Sequence, residues 1–314
     1  MTFQSDCVLV FGGSGFIGSH LLARLAAHGV TRVISADIVA PRRREAGVEY
    51  RELDVRRPLR IADCRPDVVF NLAAIHRTPG HADDEYYDTN VAGALNVLDF
   101  CEVHDARILV FTSSISVYGP SETMITESSP LRPNSAYGKS KVLAETIQRA
   151  WIGQSADRKL VIVRPAVVFG AGEGGNFERL RRAIAARRFV YPGRRDTIKS
   201  CGYVGELISC LDWALQQPEP DLLFNFAYPE RSTIEDIANL ISVYAGLPEP
   251  KLMLPEMAVR LLQSFGNHLR SRTLERIRKL TDSTNVYPAT LVERGYPFET
   301  DLDSGIASWL SQAS

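Results

Sequence analysis

The stretch Cys7-Val8-Leu9-Val10-Phe11-Gly12-Gly13-Ser14-Gly15-Phe16-Ile17-Gly18 decides how this chain is read. Five apolar residues, too few for a core helix, run straight into a glycine-rich turn. From Gly15 to His28 the residues Ile17, Leu21, Leu22 and Leu25 then share one helical face. A strand, a tight turn and a helix in that order open a parallel α/β unit. Gly12 allows the sharp turn, Gly15 lacks a Cβ where a pyrophosphate must approach the backbone, and Gly18 permits close packing of helix on strand. The helix N-terminus offers N–H donors and about half a unit of positive charge to phosphates. The spacing is G-x-x-G-x-x-G rather than G-x-G-x-x-G, so a dinucleotide reading needs support against that of a plain tight turn.

Support comes from Asp37, at the end of the next apolar run and about twenty residues beyond the turn. A carboxylate there accepts hydrogen bonds from the adenosine ribose hydroxyls and repels a 2′-phosphate, which favours NAD over NADP. Arg42-Arg43-Arg44 is the competing signal for NADP. Asp54 and Val55, after the strand-like Val48–Leu53, fall where a carboxylate could meet the adenine amino group or simply cap the following turn.

Further along, Arg32–Asp37, Val68–Leu72, Ile108–Thr112 and Leu160–Arg164 repeat the short apolar run, as buried parallel strands do. Helical periodicity covers Asn90–His104 and Ala136–Trp151 between them. From Pro165 onward glycine and proline become denser, which predicts a second, smaller unit over 165–314 beside a cofactor unit over 1–164. A helix over Leu207–Leu215 and a strand over Leu222–Phe226 return the chain to the sheet within about 203–226. Helices are expected near Ile234–Tyr244, Met257–Phe265 and Leu302–Leu310.

Composition bounds the partners. The 314 residues hold 36 Lys plus Arg against 37 Asp plus Glu, a net charge of −1, so no global basic field draws nucleic acid or an anionic membrane. With 45% hydrophobic and 23% charged residues, composition is that of an ordinary globular chain. No apolar run approaches the roughly 20 residues of a membrane span. Five scattered cysteines without C-x-x-C fit a reducing, cytoplasmic setting. Six histidines show no H-x-H or H-E-x-x-H spacing, and His76 to His81 with Asp83-Asp84 reads as a solvated loop, so no metal is expected.

Chemistry enters with Tyr137-Gly138-Lys139-Ser140-Lys141. Tyr-x-x-x-Lys on a helix projects a phenol and an ammonium from one face. The cation, with a positively charged nicotinamide, favours the phenolate as a general base. Thr112-Ser113-Ser114-Ile115-Ser116-Val117-Tyr118-Gly119 follows a strand candidate at the sheet edge where open α/β folds place ligands, and a hydroxyl there could bridge substrate and phenolate.

These features in this order resemble the extended short-chain dehydrogenase/reductase superfamily, within the NAD-dependent epimerase/dehydratase group that acts on nucleotide sugars. The likeness runs through Gly12–Gly18, Asp37, Asp54-Val55, Asn71-Leu72-Ala73-Ala74, Asn90-Val91, Ser113–Gly119, Ser135–Lys141 and Arg164-Pro165. It implies a Rossmann-like doubly wound parallel sheet with a smaller α/β substrate domain. It makes Tyr137 the acid/base, Lys141 the holder of the nicotinamide ribose and Ser114 the catalytic hydroxyl, with Ser113 and Ser116 as neighbours easily mistaken for it. Gly12, Gly15, Phe16, Ile17, Gly18, Asp37, Asp54, Val55, Ala73, Ala74, Asn90, Pro165, Ala166 and Val167 would line the NAD, Asn90 having a packing role as its alternative.

Relatives that dehydrate to 4-keto-6-deoxy sugars carry an Asp-Glu pair after the catalytic hydroxyl. This chain has Ile115-Ser116, which favours epimerisation or 4-ketone reduction, with a nucleotide-sugar 4,6-dehydratase and a sensor that binds NAD(P) without turnover as the alternatives. Val167 stands where many relatives place a substrate-touching Asn, and Lys199 where they place a phosphate-binding Arg, a cation without the bidentate fork. His76, Ser116, Asn176 and Lys199 are the candidate substrate contacts, with Arg179, Arg194, Arg276 and Arg278 as further cations. The resemblance also implies a homodimer through the Tyr-bearing helix and the one before it, and a nucleotide-diphosphate sugar as partner.

Overall fold

The computed structural model describes residues 5–76, 80–259 and 280–312. In chain order its elements begin with β1 (Cys7–Phe11), α1 (Phe16–Ala27), β2 (Arg32–Asp37), β3 (Val48–Glu52), β4 (Val68–Asn71) and α2 (Asp83–Tyr87). Next come α3 (Gly93–Val103), β5 (Ile108–Thr112), β6 (Ser121–Ile125), α4 (Ala136–Ile152), β7 (Lys159–Pro165), β8 (Val167–Phe169), α5 (Asn176–Ala185) and β9 (Tyr191–Pro192). The remainder is β10 (Cys201–Tyr203), α6 (Val204–Gln216), β11 (Asp221–Phe226), α7 (Ile234–Tyr244), β12 (Met253–Leu254), β13 (Thr284–Val286), α8 (Ala289–Glu293) and α9 (Leu302–Gln312).

Seven strands make one sheet in the order β3-β2-β1-β4-β5-β7-β11, every pair parallel. This is the Rossmann-like doubly wound sheet expected from the sequence, with β11 closing its far edge. All five residues of β1 are buried, as a strand covered on both faces must be. Leu21, Leu22 and Leu25 of α1 cover one face together with Leu207, Leu211 and Ala214 of α6. Val97 and Phe100 of α3 and Ala144 and Trp151 of α4 cover the other. Each fully buried Phe or Leu in these layers contributes about 1.5–3 kcal/mol.

Strand order reverses at β1, whose Phe11 is in register with Ala36 on one side and Asn71 on the other. A crevice therefore opens beyond the C-terminal ends of β1 and β4, where such sheets bind ligands. A third core over β8 to β10, α5, α7 and α9 centres on Phe169, stacked on Phe177 at 4.3 Å with Trp309 edge-on to both. Glu206 of α6 ties the C-terminal segment down, its buried carboxylate accepting from Tyr296, Thr300 Oγ1 and the Thr300 N–H.

The structure departs from the sequence reading in three places. Asp83 does not lie in a loop: Asp83–Tyr87 is helical, with an acidic first turn and Glu85 accepting from the Ala82 N–H at 2.8 Å. Asn90 does not open a helix but sits inside a π-helical turn over Asp88–Ala92 that joins α2 to α3. The pairing of β6 with β13 has no signal in the sequence, both strands being short and only partly apolar. Of the helix expected over Met257–Phe265, residues 256–259 are helical and the rest lies outside the described residues. No helix among the described residues is long and apolar enough to cross a membrane.

Candidate active site

The glycine turn has the shape its spacing implies. Gly12 has φ +83°, and a Cβ there would sit 2.7 Å from the Ala73 nitrogen at the end of β4. At Gly18 a Cβ would meet the Gly12 oxygen at 2.3 Å, so helix and turn touch only because this residue has no side chain. At Gly15 a Cβ would face nothing nearer than the Gly12 oxygen at 3.2 Å, which leaves the approach to the backbone open. No side chain caps the N-terminus of α1 and no acidic residue occupies its first turn, so the turn presents its positive end outward. Phe16 and Ile17 in that turn are partly exposed.

Asp37 ends β2 beside the turn. Its Oδ2 accepts from the Ser14 N–H at 3.0 Å and its Oδ1 from the Val39 N–H at 3.0 Å, which fixes the carboxylate. It borders a cavity of about 190 Å³ lined also by Ser14, Val39, Arg44 and Tyr50. The three arginines of 42–44 are spread: Arg44 lies over the Tyr50 ring, Arg43 pairs with Glu45 and Arg42 reaches the Gly172 oxygen. An uncapped helix end, an open glycine and a fixed acid at a cavity fit a dinucleotide lying across the crevice. Asp54 is engaged by Arg56 at 2.8 Å, which holds its carboxyl below the usual range, and Val55 is buried against Gly93 of α3. Ala73 and Ala74 stand at the mouth of β4, and Pro165 and Val167 at the end of β7 and start of β8.

Three side chains converge at the C-terminal edge of β5. Ser135 caps α4 by accepting from the Gly138 N–H at 3.1 Å, which sets Tyr137 and Lys141 one turn apart on the same face. The Ser114 hydroxyl hydrogen-bonds Tyr137, while burial and the nearby Tyr86 push the phenol up to about 12. Lys141 is buried and donates to the Thr112 carbonyl at 2.9 Å. Burial brings it down to about 7, opposed by the charge of Glu145. Ser114 Oγ also accepts from the Ser116 N–H and lies 3.1 Å from Ser116 Oγ. Ser113 faces away, donating to Glu145 at 2.5 Å, so the structure separates the three serines that the sequence places side by side.

Asn90 spends its amide on the protein. Oδ1 accepts from the Ile75 N–H, and Nδ2 donates to the Ile75 oxygen and to Ser140 Oγ at 2.9 Å, while Ser140 donates to the Tyr137 oxygen. The π-turn aims this side chain, which then clamps the loop after β4 to the first turn of α4.

The candidate substrate contacts sit on different elements. His76 is exposed after β4, next to the undescribed 77–79. Asn176 starts α5 and accepts from Arg179 at 2.7 Å. Lys199 donates to the Asp282 oxygen at 2.6 Å and is lowered to about 8 by burial. Arg194 pairs with Glu122 and Asp196, while Arg276 and Arg278 lie outside the described residues. No cluster of metal-ligating side chains occurs among the described residues.

Sequence reasoning missed Tyr86, whose ring centre lies 6.1 Å from that of Tyr137. The acidic run Asp83-Asp84-Glu85 before it was the available helix signal. It also missed Glu173, whose carboxylate accepts from N–H groups at the start of α5, and the buried pair of Glu145 and Arg164.

Residues 8–225 match the model of the NAD dependent epimerase/dehydratase family. Along 96% of this chain and 94% of the relative, it is 30% identical to N-acetyl-alpha-D-glucosaminyl-diphospho-ditrans,octacis-undecaprenol 4-epimerase of Escherichia coli O157:H7. It is 32% identical to UDP-glucose 4-epimerase 2 of Oryza sativa subsp. japonica over 54% of this chain, which spans about half, 46%, of that relative. Among solved structures, the Thermus thermophilus UDP-glucose 4-epimerase in complex with NAD superposes with a TM-score of 0.78 at 22% identity, covering 97% of this chain and 98% of that one. At that identity the likeness shows the shared fold.

Proposed function

The chain belongs to the NAD dependent epimerase/dehydratase family, and on that premise we propose that it is an NAD-dependent 4-epimerase of a sugar carried on a diphosphate. The convergence of Ser114, Tyr137 and Lys141 at the C-terminal edge of the sheet is the observation that carries the reading. Two relatives named as 4-epimerases favour inversion over net ketone reduction, and Ile115-Ser116 offers no acid pair for dehydration.

Bound NAD supplies reversible hydride transfer at the sugar carbon. The chain's own residues manage the proton and the geometry. Tyr137 takes the proton of the C4 hydroxyl as that carbon is oxidised and returns it to the same oxygen after the keto sugar has presented its other face. Ser114 holds the same oxygen and lowers the phenol. Lys141, charged and drawn to the cofactor ribose, brings the phenol further down from about 12.

We take the nucleoside diphosphate as carrier. A second reading, a polyprenyl diphosphate, is favoured by two observations. Lys199 and Asn176, the side chains expected at the nucleotide, are engaged with Asp282 and Arg179. The relative aligned through the whole substrate half is named for an undecaprenyl carrier. We further propose a cytoplasmic homodimer through α3 and α4, where Leu95 and Leu143 are exposed apolar residues. The two-unit division at 164/165, with the second unit over the crevice, belongs to the same proposal.

The test is incubation of the purified protein with NAD and a panel of UDP-, GDP-, dTDP- and polyprenyl-diphosphate sugars, with products read by NMR. Inversion at C4 supports the reading. Reduction of a keto sugar without inversion assigns the ketoreductase chemistry instead, and no turnover with any member returns the sensor reading.

A further inference from the structure

Behind the convergence of Ser114, Tyr137 and Lys141 lies a buried ionic network that the proposed chemistry does not use. Glu145 and Arg164 form a two-bond fork, Nε to Oε1 at 2.8 Å and Nη2 to Oε2 at 2.5 Å, with both side chains only 5% exposed. Oε1 also accepts from Ser113 Oγ at 2.5 Å. The third arm of Arg164, Nη1, donates to the Tyr118 hydroxyl at 2.7 Å, and that hydroxyl donates on to Asn225 of β11 at 2.8 Å.

Each partner stands next to part of the active set. Glu145 is one helical turn beyond Lys141 on α4. Ser113 immediately precedes Ser114, and Tyr118 ends the 3-10 turn that Ser114 caps. Arg164 immediately precedes Pro165, at the C-terminal end of β7. Desolvating two ions offsets most of their attraction, so a buried pair adds little net stability against apolar packing. What this pair supplies is a fixed relation among three elements, reinforced by two hydroxyls that each add a further hydrogen bond to it.

We infer that Glu145, locked by Arg164 and Ser113, is a positioning residue that holds the Ser114 turn and Lys141 in register with Tyr137. This rests on the epimerase reading for its kinetic consequence, though not for its structural one. Among the described residues, these titratable and polar groups act on the pair of active side chains. Tyr86 of α2 and the Ser114 hydroxyl face Tyr137, and Glu145 is the charge acting on Lys141. Losing Glu145's charge lets Lys141 lose its proton more readily, and a displaced Ser114 no longer stabilises the phenolate. Both changes move the Tyr137 titration to higher pH.

The experiment compares wild type, Glu145→Gln and Ser113→Ala, each loaded with NAD. The Tyr137 titration is read by ultraviolet difference spectroscopy, taking the spectrum lost on adding Tyr137→Phe to each background, and kcat and KM are measured with the sugar diphosphate the wild type turns over. Both variants are expected to raise the Tyr137 titration by about half a pH unit or more, a differential interaction readable by this method. They should also lower kcat by about tenfold, part of what an acid/base contributes, with KM within about twofold. If Glu145→Gln does not fold, Ser113→Ala, which deletes one hydroxyl, decides the matter. A folded Ser113→Ala with wild-type titration and wild-type kcat overturns the inference. A wild type that turns over nothing sinks the epimerase reading, and the Tyr137 titration alone then decides for or against Glu145.

Discussion

Lys141 Nζ donates to the main-chain oxygen of Thr112 across 2.9 Å and lies 4.8 Å from the centre of the Phe111 ring. The ammonium thus rests on the end of β5, in a dry site that brings it down to about 7. A charge stored there is costly to the fold, and the proposed mechanism spends it on the cofactor ribose and the phenolate.

That cost sets a pH window. Between about 7 and lysine's ordinary value of 10.5 the unfolded chain binds a proton that the folded chain lacks, so the folded state gains stability as pH rises through that range. Below 7 the penalty for burying the charge is complete. Lys141→Met, of similar length and apolar, is expected to raise the melting temperature of the NAD-free protein most at pH 6–7, with the gain shrinking toward pH 10. It should abolish epimerase activity at every pH. Thermal melts across pH 6–10 check this, and a gain that grows with pH contradicts it.

The two glycines at the start of α1 separate fold from cofactor. Gly15 has φ −70° and ψ 173°, a backbone that any residue adopts, and its Cβ direction is open beyond the Gly12 oxygen. Gly15→Ala is expected to cost less than about 1 kcal/mol in stability and to weaken NAD by at least about tenfold, or 1.4 kcal/mol. Gly18→Ala drives a methyl to 2.3 Å from the Gly12 oxygen and should destabilise the fold by about 1–3 kcal/mol or more. Denaturant melts beside NAD titrations distinguish them.

Asp37 discriminates by charge. Asp37→Asn keeps an oxygen for the Ser14 or Val39 N–H but removes the repulsion of a 2′-phosphate. The preference for NAD over NADP should narrow by about tenfold, on the order of one such charge interaction near a surface. Direct binding of both dinucleotides measures it.

Much of this was legible in the sequence because short apolar runs and glycine spacing report on backbone alone. Cys7–Phe11, Arg32–Asp37 and Ile108–Thr112 are strands with the expected bounds, and Tyr137 and Lys141 lie on the expected helix. The rest depended on partners distant in the chain. Ser113 and Ser114 are adjacent and chemically identical, and only Glu145, 32 residues on, shows which one turns inward. Asn90 resembles a cofactor residue, yet Ile75 and Ser140 take its amide. Asp83-Asp84 reads as a loop because its charges give no sign that Tyr86, two residues on, packs against Tyr137.

Leu95 of α3 and Leu143 of α4, 50% and 46% exposed, are covered in the proposed dimer. Light scattering after size exclusion should give twice the chain mass at micromolar concentration, and Leu143→Glu should return the monomer. A wild-type monomer removes the dimer from the account.

The central claim, inversion by transient oxidation at C4 with Tyr137 moving the proton, is tested most directly with a sugar diphosphate deuterated at C4. Incubated with the NAD-loaded protein and followed by NMR, it should yield the C4 epimer with deuterium retained at C4. Tyr137→Phe should slow that conversion by about 10²–10⁴. Inversion with hydrogen from solvent at C4, or a Tyr137→Phe protein as fast as wild type, would contradict it.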